Sequence, residues 1–399
     1  MSGLWRLVLC VGLMLAFSGC SWFGDDEEED ARDPVPLTAF KAEVQLKKLW
    51  SFSVGSGADN NETRLLPVIE GSRIYAAAVD GSIAALDLYS GRKVWKVRLD
   101  KQLTKTEVLD EEVQLITGGV AAGRDHLFVT LSTGELVALN KSDGSMSWRS
   151  EIGREVLAPA VVSGDLVIVQ TIDDKLVAFD GLDGARKWIF SASVPSLTLR
   201  GTSTPLIFDR FVIAGFANGR VAVVDMTDGV ARFEQRIGVP QGDSDLERLV
   251  DIDGAMVMTG AVLYVVSYQG NVVALDLGGG GRPLWGKEAS SVAGLAEGFG
   301  AIYMAADDGQ LEALDTDDGK QVWATEALKY RQLSTPAVIG SYVAVGDLDG
   351  YLHLLAQSDG RFVGRKKIDG EPIKSPVIVE GNRLYLMGNS GKLSAFEVR

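Results

Sequence analysis

Thiols are nearly absent from this chain. Of its two cysteines, Cys10 lies in an apolar N-terminal stretch and Cys20 stands just behind it. Everything beyond residue 20 can therefore form no disulfide, no cysteine-ligated metal site and no cysteine nucleophile, and its stability must come from packing. Histidine is as scarce: His126 precedes a strand-like run and His353 lies within one, and neither has a second histidine to share a metal. Lys and Arg number 39 against 54 Asp and Glu, for a net charge of −15, and the basic residues form no dense cluster. A nucleic-acid partner is thereby excluded, since such proteins carry a basic stripe. There is no Gly-x-Ser-x-Gly elbow and no phosphate-cradling loop, and Gly278–Gly281 lacks the Lys-Ser/Thr ending. Acidic residues sit at turns rather than at calcium-loop spacing. No catalytic, metal-binding or cofactor-binding residue is expected.

What is present begins with a leader. A short segment ending at Arg6 precedes an apolar run from Leu7 to Phe17, too short to span a bilayer. Phe17-Ser18-Gly19-Cys20 then resembles a bacterial lipobox, with Phe17 where Leu is usual; an ordinary signal peptide or a short core helix is the plainer reading. Residues 1–19 are read as a lipoprotein signal peptide and Cys20 as the lipidation site. Residues 20–43, rich in Asp and Glu from Asp25 to Asp30, are read as a solvated tether. Ser21 in place of Asp resembles outer-membrane sorting signals, which implies an anchor there with the protein facing the periplasm.

Residues 44–399 are built from repeats. A Gly-x-(Leu/Val/Ile)-x-Ala-Leu-Asp core at Gly81 returns near Gly134, Gly219, Gly270, Gly309, Gly350 and Gly391, with Asp174 in the Gly place once. A period of roughly 40–45 residues with about four strand-length runs per copy belongs to propeller blades. The expected fold is all-β: an eight-bladed β-propeller of four-stranded antiparallel blades. A second Gly in six copies (Gly91, Gly144, Gly184, Gly229, Gly319, Gly360) is followed four residues later by a large ring in five of them, Trp95, Trp148, Trp188, Phe233 and Trp323, and Trp285 fits after one extra residue in Gly278–Gly281. Gly364 replaces the ring in copy seven. Such rings are read as wedges between blades. The last copy lacks its fourth strand, and Lys48-Leu49-Trp50 reads like that missing piece, so the N-terminal strand should complete the last blade and close the ring.

Function is sought where copies differ. Three stretches do: Leu103–Leu115, Pro195–Gly201 and Val239–Asp253. The last two flank one copy and can meet on one face. Exposed Leu beside Arg and Asp reads equally as a protein-binding edge or as loop packing around a local Arg–Asp ion pair.

The pattern Ala85, Asp87, Gly91, Trp95, repeated at Ala178, Asp180, Gly184, Trp188 and at Ala313, Asp315, Gly319, Trp323, resembles the repeat of pyrroloquinoline-quinone (PQQ) enzymes. From the lipobox through Trp50 to Phe396 the chain further resembles the propeller-lipoprotein family of the bacterial β-barrel assembly machinery. Its most specific pieces are Ser196-Leu197-Thr198-Leu199-Arg200-Gly201 and Arg248-Leu249-Val250-Asp251-Ile252-Asp253. The resemblance implies a non-catalytic scaffold that binds the POTRA domains of BamA, with Leu197, Leu199, Arg200, Asp251 and Asp253 as contacts. It would help outer-membrane barrel proteins to fold and insert, with nascent barrel proteins and other members of the machinery as further partners. Two alternatives stay open. A periplasmic PQQ oxidoreductase would lack the vicinal disulfide usual in that class, and a WD-repeat scaffold would lack its Gly-His and Trp-Asp signatures.

Overall fold

Short runs of Val, Ile, Leu and Ala, broken by Asp-Gly and Asn-Gly turns, fold as hairpins whose strands stay short because each turn recurs so soon. A computed structural model describes residues 32–57, 65–102 and 116–399. Cys20 and the stretch 103–115 lie outside the described residues. Among those described, eight four-stranded antiparallel sheets form in chain order, and we number them as blades 1 to 8. Seven are contiguous in sequence. Blade 8 takes Ile378–Glu380, Arg383–Met387 and Lys392–Val398 from the C-terminal end and Leu46–Ser53 as its outermost strand, paired from Leu46↔Val398 to Ser53↔Lys392.

The core is divided. Eight apolar clusters each join residues of two neighbouring blades, the last joining blade 8 to blade 1 through Trp50, Leu86 and Tyr385. Each blade therefore depends on its neighbours, which makes closure of the ring a requirement.

One contact repeats around the ring and explains the sequence motif. The outermost-strand Trp stands opposite a small Ala of the third strand, as in Ala85↔Trp95, Ala178↔Trp188 and Ala313↔Trp323. Its ring lies over the turn glycine of the next blade: Trp285 over Gly319, Trp323 over Gly360, and Trp50 over Gly91. Gly319 has φ +71°, and a Cβ there would stand 2.5 Å from Trp285 Cε3. Only glycine meets both demands. The indole N–H donates to a carbonyl of the same neighbour, Trp50 to Leu88 at 3.1 Å and Trp323 to Gln357 at 2.7 Å. The motif Asp shapes that turn, Asp87 Oδ1 accepting the Ser90 N–H at 2.8 Å and Asp315 Oδ1 the Asp317 N–H at 2.8 Å.

Blade 7 lacks the ring, and a different device stands in its place. Residues 35–43, assigned above to the tether, run along the outer strand of blade 7, Phe362–Lys367. Glu43 and Val44 N–H groups donate to Val363 O at 2.8 and 3.0 Å, and Phe40 packs on Phe362 with centroids 5.5 Å apart. Arg365 is held between those two rings and donates to Thr38 O at 2.9 Å. Its Nε also donates to His353 Nδ1 at 3.0 Å, while His353 Nε2 meets Asp347 Oδ2 at 2.9 Å. Burial lowers the His353 pKa, so the neutral ring donates through Nε2 and accepts through Nδ1. Both histidine contacts are thereby accounted for within the scaffold. The segment packs because Leu37, Phe40 and Val44 supply apolar side chains that the acidic run before it lacks.

Deleting residues 44–52 should open the ring at blade 8 and lower the thermal midpoint by about 10 °C or more, and Trp50→Ala alone should cost about 3–5 kcal/mol. Differential scanning calorimetry reads both, and an unchanged midpoint would show that closure is dispensable.

Candidate functional site

The connections between blades 3 and 4 and between blades 4 and 5 depart most from the repeat, and both emerge on the face that carries the turns between second and third strands. Residues 192–205 join Ser191 to Leu206, and residues 237–256 join Arg236 to Val257. The Leu199 N–H donates to Asp251 Oδ1 at 2.8 Å, so the two connections are tied directly.

The second connection has a buried and an exposed half. Val250 packs over Gly219 and Gly238, and Ile252 lies over Gly215, where a Cβ would stand 2.2 Å from Ile252 Cγ2. The Tyr268 N–H donates to Asp251 O at 2.8 Å, fixing the segment to blade 5. Gln241 to Arg248 are exposed and hold their own shape. Glu247 Oε2 accepts the Asp243 and Ser244 N–H groups at 2.8 and 3.0 Å, Ser244 Oγ accepts the Glu247 N–H, and Arg248 Nε donates to Gly242 O at 3.0 Å. This is a capping box closed on one short turn. The backbone N–H bonds hold the Glu247 carboxyl below the usual range.

The five residues singled out from sequence divide into two roles. Leu197 and Arg200 are exposed and Leu199 is half-buried, whereas Asp251 and Asp253 are buried. Asp253 sits against Gly201, where any side chain would collide with its carboxylate. The two carboxylates thus place the loop rather than present themselves to solvent. Arg200 pairs with Glu155, not with an Asp: its Nη2 donates to both carboxylate oxygens at 2.8 and 2.9 Å.

Sequence reasoning missed Glu155, Asp174 and four apolar residues. Ile172, Val194, Val239 and Leu246 are exposed on the same face as Leu197. Asp174 had left a signal, since it replaces the repeat glycine. It adopts φ +57° and its carboxylate accepts the Ala217 N–H at 3.2 Å, an arrangement glycine cannot make. Burial raises both Asp174 and Asp251 to about 6, and the charge of Asp251 adds to the effect on Asp174. Asp251 Oδ2 is buried without a partner.

Chemically this face offers, among the described residues, apolar side chains and the guanidinium groups of Arg200 and Arg248, each held in place by a hydrogen bond. The opening on the propeller axis, lined by Leu66, Pro159, Thr202, Asp253, Thr335 and Pro376, encloses about 50 Å³. Cofactor pockets run from roughly 300 Å³ upward.

Comparison with known proteins agrees with this geometry. The family model described as "Outer membrane protein assembly factor BamB" matches residues 79–325 and 299–399. The chain is 42% identical over 395 residues to the protein of that name from Pseudomonas aeruginosa, covering 99% of both chains. The Escherichia coli protein of the same name is 33% identical over 388 residues, with 97% of each covered. The crystal structure of BamB from Moraxella catarrhalis superposes with a TM-score of 0.79 at 28% identity, over 88% of this chain and 100% of that one. A quinohemoprotein alcohol dehydrogenase from Comamonas testosteroni shares the fold (TM-score 0.68) at 14% identity.

A carboxyl raised from 3.8 to about 6 binds its proton more tightly in the folded state than in the unfolded one. Its contribution to stability is full below pH 4, falls as pH rises to about 6, and is level above. Asp251→Asn should remove that dependence, so the variant gains on the parent by on the order of 1–3 kcal/mol between pH 4.5 and 7. Chemical denaturation at several pH values tests this, and parallel curves would contradict it.

Proposed function

We propose, because the chain belongs to the outer membrane protein assembly factor BamB family, that it serves as a non-catalytic scaffold of the machinery that assembles β-barrel proteins in the outer membrane. Its partner is the periplasmic POTRA region of BamA. The site is the face formed by the connections flanking blade 4. Cys20 carries the lipid that holds the propeller at the outer membrane, in the periplasm.

The observation that carries this reading is the tie between Leu199 and Asp251, 2.8 Å long, which fixes one loop on another and leaves Leu197 and Arg200 outward. A loop held in place before binding loses little freedom on association, so its apolar residues convert to affinity efficiently. Exposed Ile172, Val194, Val239 and Leu246 widen the apolar surface around it. Leu197 and Leu199 act as anchors, and Arg200, already oriented by Glu155, sets register against an edge of the partner. Buried Asp251 and Asp253 act through the loop they hold.

Affinity capture of the tagged chain from detergent-solubilised envelope, read by mass spectrometry, should recover a POTRA-containing outer-membrane barrel protein. Arg200→Glu places a second carboxylate beside Glu155 and should reduce recovery at least tenfold, with Leu197→Asp doing the same while the thermal midpoint holds. Recovery unaffected by both variants would remove this face from the interface. Separately, Cys20→Ala should shift the protein from the membrane pellet to the soluble periplasmic fraction, and retention in the pellet would refute the anchor.

A further inference from the structure

Every propeller blade ends in an outer strand with one unpaired edge, and unpaired edges invite further strands. Seven of the eight outer strands here carry charge: Lys93–Arg98, Met146–Glu151, Arg186–Ser191, Ala231–Arg236, Arg282–Ala289, Phe362–Lys367 and Leu46–Ser53. The Arg282–Ala289 strand also contains Pro283, which cannot donate to a ladder. The outer strand of blade 6, Gln321–Thr325, reads Gln-Val-Trp-Ala-Thr and carries neither charge nor proline.

A β-bulge recurs in all eight outer strands at the residue before the Trp place, leaving Val94, Ser147, Lys187, Arg232, Leu284, Val322, Val363 and Leu49 unpaired. Blades 1, 6 and 7 have valine there. Val94 of blade 1 is 44% exposed but stands in a strand that carries Lys93, Lys96 and Arg98, and the valines of the neighbouring blades 6 and 7 differ in their cover. Val363 of blade 7 is 0% exposed, because the chain's own residues 35–44 lie across it and donate two N–H groups to its carbonyl. Val322 of blade 6 is 53% exposed. It lines a cleft of about 560 Å³ between blades 6 and 7 with Phe299, Tyr303, Tyr342 and Glu43, the last from the segment that covers blade 7. Phe299 is 81% exposed and adopts φ +52°, a strained conformation for an aromatic residue.

We infer that the outer edge of blade 6, with the cleft beside Val322 and Phe299, is a second binding site, for an extended, uncharged polypeptide segment of alternating apolar and polar residues. The covered edge of blade 7 shows how such a segment sits: backbone N–H groups on the bulge carbonyl and an aromatic side chain in the groove. The segment that fits by chemistry is a transmembrane strand of an unfolded β-barrel client, which alternates apolar and polar residues over about ten positions. This identity of the occupant rests on the assembly function above. The site does not involve the blade 4 face, since Gln321–Thr325 lies on a different blade.

The test uses the full chain and a fluorescein-labelled ten-residue peptide alternating Leu, Val or Phe with Ser, Thr or Asn. A control peptide of the same composition has its apolar residues grouped in one block. Fluorescence anisotropy should show saturable binding of the alternating peptide, at least tenfold tighter than the control. Hydrogen exchange should show new protection at Gln321–Thr325. Val322→Lys, a surface change that supplies the missing charge, should weaken binding at least tenfold while capture of the POTRA-containing protein stays unchanged. Equal binding of both peptides, protection on another blade, indifference to Val322→Lys, or occupation of the edge by a second copy of the chain would each overturn the inference. Because capture is read separately, failure of the partner reading and failure of this site leave different signatures.

Discussion

The contact on which the rest of this protein depends is an indole ring lying over a glycine of the next blade. Separately, a four-stranded sheet of short strands has too little apolar face to hold itself. Here each sheet buries its faces against two neighbours, and the Trp–Gly stack with its indole–carbonyl hydrogen bond fixes how far apart those neighbours stand. Burying a ring of this size is worth several kcal/mol per interface by transfer from water. The cooperativity is circular, since the last interface is made by Trp50 from the first strand over Gly91 of the first blade.

The one interface without a ring shows what the others share. Gly364 stands in the Trp place of blade 7, and the Val44 carbonyl passes 3.2 Å from where its Cβ would be. The same strand is clasped from outside by residues 35–43, with Arg365 between two aromatic rings and tied inward through His353 to buried Asp347. Arg331 joins this system by donating to Asp347 Oδ2 at 2.8 Å and to Val35 O at 3.1 Å. A polar network with every member paired can replace an apolar wedge: Asp347 meets Arg331, and Arg365 lies on two rings and donates to a carbonyl and to His353.

The proposed binding surfaces occupy what the scaffold leaves free. The connections around blade 4 lengthen without disturbing the ring, because they leave from its face. Buried Asp251 and Asp253 hold them, and the Asp251 carboxyl is raised to about 6 by that burial. The edge of blade 6 is free for a different reason: the guard placed on its neighbour stops one blade short.

The number of blades, the rings between them, the closing strand and the two irregular connections were legible in the residues, because a repeat writes its period, its turns and its exceptions directly into the chain. Trp50 and Lys48 announced the missing strand by matching Trp95 and Lys93. The structure ties Leu199 to Asp251 and seats Gly201 against Asp253, but these placements were not readable, since a loop aspartate looks the same whether it faces solvent or a backbone amide. Glu155 was invisible as the partner of Arg200, lying 45 residues away on another blade connection. The end of the tether was likewise hidden, because Phe40 and Arg365 meet only once the ring has closed. Sequence by itself determined the repeating unit, whose contacts are set by local period and nearest neighbours. The tertiary structure alone decided which exceptional residues face outward and that Val363 is covered while Val322 is not, because burial depends on what the closed ring brings alongside.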